Sequence, residues 1–293
     1  MANIRELEIK ANEIRQDIIK MLVAAKSGHS AGPLGMADVF TALYFGDVLK
    51  YDAKNPDLPN RDRFVLSAGH ICPVWYATLA HAGYFPVSEL ASLRKLGTRL
   101  HGHPHNEVLP GSENSSGPLG QGISQAVGMA YVGLKIDKKS WRVYCVMGDG
   151  ETQEGQVWEA AMFAGKNNLR NLTAIVDRNN IQIDGYTEDV MPLEPYRAKW
   201  ESFGWSVIDV DGHNIREIID ACNKAKATFE NPTLIIAHTI PGKGVDFMEY
   251  RYEWHGVPPD AGDIPGAPKK GEQAKKALEE LRTLGGRIKS EHE

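Results

Sequence analysis

Hydrophobic positions along the chain follow two different spacings. Apolar residues recur every three or four positions in long segments that we predict to be helices, at about 4–26, 34–45, 117–134, 151–169 and 215–229. Short apolar runs rich in β-branched residues predict buried strands at 63–66, 143–147, 172–176, 205–210 and 233–237. Alternation of strands and helices is typical of the α/β class. We therefore predict a doubly wound, mostly parallel sheet with helices on both faces.

The last part of the chain has a different pattern. Residues 258–272 are rich in Pro, Gly and Asp, and they predict a surface loop. From about 273 to 284, apolar residues lie at helical spacing among Lys and Glu, which predicts an amphipathic helix. We divide the chain into an α/β domain at 1–260 and a C-terminal loop and helix at 261–293.

Composition narrows the classes of partner. Of the 293 residues, 42% are hydrophobic and 24% are charged, which is typical of a globular protein. The net charge of −5 comes without a basic block, so we expect no nucleic acid partner. The three cysteines lie far apart and show neither disulfide nor zinc spacing. No signal peptide and no membrane-spanning run is visible, so we expect a cytoplasmic protein without a membrane partner.

Two predicted strands end in residues that carry oxygen donors. Gly148-Asp149-Gly150 follows the strand at 143–147, and Asn179-Asn180 follows the strand at 172–176. The carboxyl ends of parallel strands share one sheet edge, where open α/β sheets bind ligands. Carboxylate and amide oxygens suit Mg²⁺, which usually shares its coordination shell with phosphates. Gly-Asp-Gly alone also makes an ordinary turn, but the strand–turn–helix–strand setting favours a metal site.

Histidines occupy three predicted loops or turns. His29 lies between two helices, where the alternative to a functional role is a histidine that caps a helix. His70 lies at a strand-to-helix turn that faces the same sheet edge, and its alternative is a helix residue without a ligand. His101, His103 and His105 alternate along a tight turn. We disfavour a metal cluster there, because no Cys, Asp or Glu completes the geometry nearby.

A glycine-rich segment, Gly117-Pro118-Leu119-Gly120-Gln121-Gly122, opens the predicted helix that follows it. Backbone N–H groups at a helix start bind anions, and glycines let a phosphate approach closely. The alternative is an ordinary glycine-rich loop. Because the segment lies between strands of the predicted sheet, we favour phosphate binding.

Taken together, these motifs resemble the amino-terminal, diphosphate-binding half of the transketolase family. The matched positions, in the order of the family, are Lys26-Ser27-Gly28-His29, Gly69-His70, Gly102-His103-Pro104, the segment 117–122, the Gly-Asp-Gly and Asn-Asn motifs, and His255-Gly256. Three stretches depart from the family pattern. The usual Gly-His-Pro-Gly-Ala-Pro is Gly28-His29-Ser30-Ala31-Gly32-Pro33, a usual glutamate is His105, and 244–254 differs from most full-length members. The last stretch also echoes the related deoxyxylulose-phosphate synthases.

The resemblance implies a thiamine-diphosphate-binding fold with thiamine diphosphate and Mg²⁺ as cofactors. It assigns Mg²⁺ to Asp149, the Asn179 side chain and the Ile181 carbonyl. It assigns the cofactor to His70, Gly117, Pro118, Leu119, Gly150, Glu154, Asn179 and His255. His29 and His255 would act on substrate hydroxyl protons, and His103 would hold an oxygen of the donor sugar. Glu154 and Glu159 match family glutamates at a dimer interface, although both also suit a solvated helix face.

The activity that the resemblance implies is transfer of a two-carbon ketol unit from a ketose phosphate to an aldose phosphate, as in the pentose phosphate pathway. Full-length transketolases continue into two further domains, which hold the glutamate that activates the cofactor and the arginines that bind sugar phosphates. We therefore expect the N-terminal subunit of a split transketolase, homodimeric within a heterotetramer and active only with a separate C-terminal subunit. The alternatives are an unusual-sugar transketolase, a thiamine-dependent synthase that decarboxylates a 2-keto acid, and a non-catalytic cofactor-binding module.

Overall fold

The computed structural model of the chain describes residues 3–287, with side chains through residue 282. The strands are β1 (Arg63–Leu66), β2 (Val143–Gly148), β3 (Leu172–Arg178), β4 (Ile181–Gln182), β5 (Gly185–Tyr186), β6 (Ser206–Asp211) and β7 (Thr233–His238). The α-helices are α1 (Ile4–Ala25), α2 (Ala31–Gly35), α3 (Ala37–Phe45), α4 (Cys72–His81), α5 (Gln121–Tyr131), α6 (Gly155–Lys166), α7 (Thr187–Val190), α8 (Tyr196–Ser202), α9 (Ile215–Ala227) and α10 (Gln273–Arg287).

Five of these strands form one sheet in the order β1-β2-β3-β7-β6, and every neighbouring pair is parallel. β4 and β5 form a separate antiparallel hairpin. Along β2, Tyr144 and Val146 join the core with α1, α3, α4 and α9, whereas Val143, Cys145 and Met147 join the core with α5, α6 and α8. Since alternate residues of a strand face opposite sides, the sheet is covered by helices on both faces. The predicted doubly wound α/β fold is confirmed.

β3 extends two residues beyond its predicted end at 176, and this extension brings polar residues into the sheet. Asp177 pairs with Gly148 of β2 on one side and with Ala237 of β7 on the other. Pairing on both sides keeps the backbone extended even where the side chains change from apolar to charged. Arg178 pairs with His238 of β7, so both Asp177 and Arg178 belong to β3 and the loop begins only at Asn179.

The helix predicted at about 34–45 begins earlier and is divided in two. α2 and α3 are separated at Met36. Both glycines of α2 allow close approach of other segments, because a Cβ on Gly32 would lie 2.9 Å from Ile71 Cγ2 and one on Gly35 would lie 2.9 Å from the Ile240 carbonyl oxygen. Likewise, the helix predicted from 151 begins as a 3-10 turn at Gly150–Gln153, and α6 follows it.

The C-terminal helix packs onto the first helix of the chain. Ala277 and Leu281 of α10 are buried in the core that contains α1, and the Asn12 side chain donates a hydrogen bond of 2.7 Å to the Leu281 carbonyl. The boundary between 1–260 and 261–293 stays a prediction. Over residues 3–287, no helix is long and apolar enough to span a membrane.

Candidate active site

Three histidines from distant parts of the chain meet at the carboxyl edge of the sheet. The ring centroids of His29 and His70 are 5.0 Å apart, those of His29 and His255 are 5.5 Å apart, and those of His70 and His255 are 5.2 Å apart. His29 comes from the loop after α1, His70 from the turn after β1, and His255 from the loop after β7. We call these three residues the histidine cluster.

The loop that carries His29 depends on two left-handed residues. α1 ends at Lys26, whose φ is 54° and whose N–H bonds the Val23 carbonyl. Gly28 follows with φ of 127°, and a Cβ there would lie only 2.6 Å from Leu22 Cδ2. Because a φ of 127° is strained for any residue with a Cβ, the reversal that brings His29 to the sheet edge favours glycine at this position.

Ser30 joins the loop of His29 to the loop of His255. Its hydroxyl is buried and lies 3.0 Å from the Trp254 carbonyl oxygen and 2.7 Å from the Val257 carbonyl oxygen. Ser30, rather than His29, occupies the N-cap position of α2, and its side chain does not cap that helix. The structure therefore gives no helix-capping role to His29. Sequence reasoning missed the role of Ser30, although its departure from the family pattern was a visible signal.

The imidazoles of the cluster are neutral at neutral pH. Burial lowers the pKa of His29 to about 3, helped by the nearby His255, Arg94 and His103, and burial lowers the pKa of His255 to about 4. Burial and the other histidines also lower the pKa of His70. The Nδ1 atoms of His29 and His255 are buried and make no hydrogen bond within the described chain. A neutral imidazole has one accepting and one donating nitrogen, so the cluster can both accept and donate protons.

His103 borders the cluster, whereas His101 and His105 do not join it. A Cβ on Gly69 would lie 3.1 Å from His103 Cδ2, and a Cβ on Gly117 would lie 3.7 Å from its Cγ. Burial and Arg94 lower the pKa of His103. The rings of His101 and His105 instead lie 5.6 Å from each other. Among the described residues, no group of three or more His, Cys, Asp or Glu side chains could hold a metal ion.

Asp149 lies at the end of β2, buried among hydrogen-bond donors. Its Oδ2 accepts from Arg178 Nη1 at 3.1 Å and from the Asn180 N–H at 2.8 Å. Its Oδ1 accepts from the Gly150 N–H at 2.7 Å. Burial raises the pKa of Asp149, while Arg178 and the two backbone N–H groups oppose that rise. The carboxylate is thus held firmly beside the loop that begins with Asn179.

Asn179 is oriented by a second buried carboxylate. Its Nδ2 donates to Asp177 Oδ2 at 2.7 Å, and its Oδ1 accepts from the Ile181 N–H at 3.0 Å. Asp177 also accepts a hydrogen bond from the Thr239 hydroxyl, and burial together with Asp149 raises the pKa of Asp177 to about 7. With its amide nitrogen fixed on Asp177, Asn179 presents its oxygen on the side of Ile181. Asp149, Asn179 and Ile181 therefore occupy one corner of the sheet edge.

Glu151 connects three segments of the same edge, and sequence reasoning missed it. This buried carboxylate accepts hydrogen bonds from the Ser67 hydroxyl, the Gly120 N–H at 2.8 Å and the Gly148 N–H at 3.0 Å. Ser67 Oγ in turn accepts from the Gly122 N–H at 3.1 Å. The N–H groups of Gly120 and Gly122 therefore have partners within the chain. Phosphate binding by the segment 117–122 stays a prediction, and it falls to residues 117–119.

The remaining predicted residues lie at the surface of this edge. Pro118 and Leu119 are exposed, next to Gly117 and its contact with His103. Glu154 is exposed at the N-cap of α6, and a Cβ on Gly120 would lie 2.8 Å from its Cβ. Glu159 is an exposed residue of α6. Of these positions, Gly117 lies beside His103 and Glu154 lies beside Gly120.

The residues of the edge fit a divalent cation and a phosphorylated cofactor. Four buried polar atoms here make no hydrogen bond within the described chain, namely His29 Nδ1, His255 Nδ1, Ser116 Oγ and Gln182 Oε1. Buried polar groups normally have partners, so these four atoms are available to hydrogen-bond a bound molecule, although unpartnered buried atoms also occur elsewhere in the described chain. The adjacent carboxylate, amide and carbonyl oxygens are hard ligands of the kind that Mg²⁺ takes.

A doubly wound parallel sheet with a polar site at its carboxyl edge defines a cofactor-binding α/β domain. Comparison with known proteins identifies the family to which this domain belongs. Residues 7–276 match the family model described as transketolase, thiamine diphosphate binding domain. The chain belongs to the transketolase family, and the resemblance stated from its motifs is confirmed.

Individual relatives differ in how much of their length the chain covers. It is 44% identical over 252 residues to a 6-deoxy-6-sulfo-D-fructose transketolase subunit of Clostridium sp. strain MSTE9, covering 86% of this chain and 91% of the relative. It is 42% identical over 256 residues to an apulose-4-phosphate transketolase subunit of Phocaeicola vulgatus, covering 87% and 90%. A transketolase structure from Pichia stipitis superposes with a TM-score of 0.86 at 34% identity, covering 96% of this chain and 41% of that one.

Proposed function

We propose that the chain is the cofactor-binding N-terminal subunit of a two-chain transketolase. The observation that carries this proposal is the histidine cluster, in which three neutral imidazoles lie 5.0 to 5.5 Å apart beside an edge of oxygen donors. Ketol transfer moves protons at hydroxyl groups next to a carbon–carbon bond, and several imidazoles at one point suit that task.

In this proposal the two sides of the edge hold different groups. Asp149, Asn179 and the Ile181 carbonyl hold Mg²⁺, while His70, Gly150 and the segment 117–119 contact the diphosphate. Bound there, thiamine diphosphate supplies an electron sink for cleavage of the carbon–carbon bond.

His29 and His255 receive the substrate hydroxyl groups. Each accepts a hydrogen bond from a substrate hydroxyl through a ring nitrogen. It takes that hydroxyl proton as the carbon–carbon bond of the donor breaks, and it returns a proton to the product. Their pKa values of about 3 and about 4 make them weak bases by themselves. An anionic ligand at this edge would raise both pKa values towards neutrality, because a nearby negative charge stabilises imidazolium. His103, at the border of the cluster, contacts an oxygen of the donor sugar.

A separate C-terminal subunit belongs to the proposal. Both bacterial relatives that the chain covers by nine tenths of their length are named as transketolase subunits. Apolar side chains are also exposed beside the site, at Ile183, Met191 and Tyr250, where a partner chain would bury them. We expect that partner to supply the cofactor-activating glutamate.

A homodimer of this chain within the assembly is the second element of the proposed organisation. α5 and α6 pack side by side, with the rings of Tyr131 and Phe163 5.6 Å apart. Around them Val132, Ile136, Met162 and Phe163 are exposed, which is unusual for four large apolar residues on one surface. We infer that this surface contacts a second copy, and that the complex acts in the cytoplasm.

Two classes of sugar are candidate substrates. Pentose and hexose phosphates of the pentose phosphate pathway are the first candidates. An unusual sugar is the second, because the two bacterial relatives are named for 6-deoxy-6-sulfo-D-fructose and apulose 4-phosphate. In both classes the substrate is an open-chain ketose with an anionic or phosphorylated end.

Purification of the chain from its native source tests the proposal. We expect a second polypeptide to co-purify, and the complex to transfer a ketol unit from xylulose 5-phosphate or 6-deoxy-6-sulfofructose to an aldose phosphate with thiamine diphosphate and Mg²⁺. Ketol transfer by the chain alone would contradict the partner requirement. Release of CO₂ from pyruvate by the complex would favour a decarboxylating synthase. A complex that binds no thiamine diphosphate would overturn the proposal.

A further inference from the structure

Arg178 is a buried guanidinium next to the proposed cation site, and no motif of the sequence drew attention to it. Its side chain is only 5% exposed. Nη1 lies 3.1 Å from Asp149 Oδ2, while Nη2 lies 2.8 Å from Glu188 Oε1 and 3.0 Å from Glu194 Oε1. The guanidinium carbon also stands 5.4 Å from the ring centroid of Tyr196. One arginine therefore joins the end of β2 to the segment around α7.

The hydrogen bonds of Asp149 are unevenly divided between its two oxygens. Oδ2 accepts from both Arg178 and Asn180, and the Thr187 hydroxyl lies 3.5 Å from it, whereas Oδ1 accepts only from Gly150. A carboxylate oxygen has two lone-pair sites. Oδ2 is thus saturated, and Oδ1 keeps one lone pair for a further ligand.

Arg178 cannot turn away from Asp149 easily, because its other end is also held. Glu188 accepts hydrogen bonds of 3.2 Å from the Leu193 N–H, and Glu194 Oε2 accepts one of 2.7 Å from the Tyr196 N–H. Both carboxylates are therefore anchored to the backbone while they bind the guanidinium. A planar fork held on both sides fixes the direction of each of its N–H groups.

The charges of this group leave room for a cation. A single guanidinium faces three carboxylates, those of Asp149, Glu188 and Glu194. The group therefore stays net negative with Arg178 in place. A divalent cation beside Asp149 would meet an attractive field, so Arg178 orients the carboxylate without replacing the metal.

We propose that Arg178 is the positioning residue of the cation site, holding Asp149 so that it binds a divalent cation through Oδ1 alone. This inference rests on the proposed function, since it concerns the cation of that site. Groups that orient metal ligands typically contribute about 10- to 100-fold to metal affinity. Lysine could reach one carboxylate but could not bridge Asp149 to the two glutamates, because its charge is a point rather than a fork.

Mn²⁺ binding to the purified two-chain complex, with saturating thiamine diphosphate, tests the inference. Free Mn²⁺ is followed by electron paramagnetic resonance, a readout that does not depend on turnover. We expect Arg178→Met to weaken Mn²⁺ binding by about 10- to 100-fold and Arg178→Lys to weaken it by a smaller factor. Arg197→Met is the matched control, because Arg197 forms an exposed ion-paired group with Glu201 and Asp209 on α8 and β6. This control should bind Mn²⁺ like the wild type.

The outcomes separate the inference from the proposed function. If the wild-type complex binds Mn²⁺ and thiamine diphosphate while both Arg178 variants bind Mn²⁺ within twofold of it, the inference alone is overturned. If the wild type binds neither, the proposed function falls and the inference falls with it. Should Arg178→Met fail to fold, Arg178→Lys and Glu188→Gln decide. Glu188 is partly exposed and binds Arg178 Nη2. Glu188→Gln loosens that end of the guanidinium, so this variant should also weaken Mn²⁺ binding.

Discussion

The candidate site has two halves that differ in how their polar atoms are satisfied. In the carboxylate half, hydrogen bonds from the chain reach both carboxylate oxygens of Asp149 and the amide oxygen of Asn179 and hold them in place. In the histidine half, the Nδ1 atoms of His29 and His255 are buried and make no hydrogen bond within the described chain. The first half is built to hold a group in a fixed position, and the second is built to exchange hydrogen bonds with what binds.

The halves also differ in the elements that carry them. Asp149 and Asn179 follow β2 and β3, neighbouring strands in the middle of the sheet. His29, His70 and His255 lie on two loops and a turn, which are held together by side-chain contacts such as those of Ser30. Rigid strands suit the position of a cation, whereas loops can adjust around substrates of different shapes.

Loss of the carboxylate half should have the largest effect on cofactor binding. We expect Asp149→Ala to lose Mg²⁺-dependent binding of thiamine diphosphate by more than the roughly 100-fold that changes around metal ligands cost, with the fold intact. Isothermal titration of the complex with the cofactor measures the loss, and circular dichroism monitors the fold. Asp184→Ala, in the exposed turn of the β4–β5 hairpin, is the control and should bind normally. Unchanged cofactor affinity in Asp149→Ala would refute the metal assignment.

The second test removes a residue of the histidine half. His29→Gln should lower kcat by on the order of 100-fold or more, because it removes a proton acceptor, while cofactor affinity stays within about threefold. Steady-state kinetics and cofactor titration of the same preparation measure both quantities. His101→Gln is the matched control, since His101 is exposed in a neighbouring turn and lies outside the cluster. A parallel loss of cofactor binding in His29→Gln would mean that the two halves do not have separate tasks.

Glu151 connects the two halves through hydrogen bonds. It accepts from Ser67, just after β1 and near His70, and from Gly148 at the end of β2, next to Asp149. The Glu151 carboxylate accepts from three donors, the Ser67 hydroxyl and the N–H groups of Gly120 and Gly148. In Glu151→Gln the new NH₂ group is itself a donor, so at least one of these three donors loses its acceptor. We expect the free energy of unfolding to fall by about 1–3 kcal/mol, with a severalfold loss of cofactor affinity. Urea unfolding measures the first effect. Glu107→Gln, at an exposed position, should change neither quantity. A cofactor affinity equal to that of the wild type would show that Glu151 does not connect the two halves of the site.

The smallest expected effect concerns the pH dependence of stability. His255 has an ordinary pKa of 6.5 when unfolded and about 4 when folded, so the unfolded chain binds more protons below pH 6.5 and acidification destabilises the native state. At pH 5 this costs ~2 kcal/mol, which His255→Gln should remove. Urea unfolding of the isolated chain at pH 7 and pH 5 tests this. Equal losses of stability between these pH values in wild type and variant would contradict the lowered pKa.

Much of the fold was readable from the chain, because its strands are continuous apolar runs and its helices keep a regular spacing. The oxygen donors at the ends of β2 and β3 were also predictable, since the order of elements alone brings those ends to one edge. The meeting of His29, His70 and His255 was different. It depends on loop paths that no periodicity encodes, and it was anticipated only through the resemblance to a family.

The contacts that hold the site were not predictable from local sequence. Ser67 and Glu151 are 84 positions apart, and Ser30 and Trp254 are 224 positions apart, so their pairing exists only in the folded chain. Arg178 reads as a charged residue just past an apolar run. Its role emerges because pairing with His238 of β7 extends β3 through Arg178, whose guanidinium then reaches Asp149.

A crystal structure of the proposed two-chain complex with thiamine diphosphate and Mn²⁺, with an anomalous difference map, would locate the cation. The account predicts a manganese peak about 2 Å from Asp149 Oδ1 and from Asn179 Oδ1, with the histidine cluster facing the reacting end of the cofactor. A peak bound to Asp149 Oδ2 would contradict the role of Arg178. No manganese at this edge of the sheet would contradict the account as a whole.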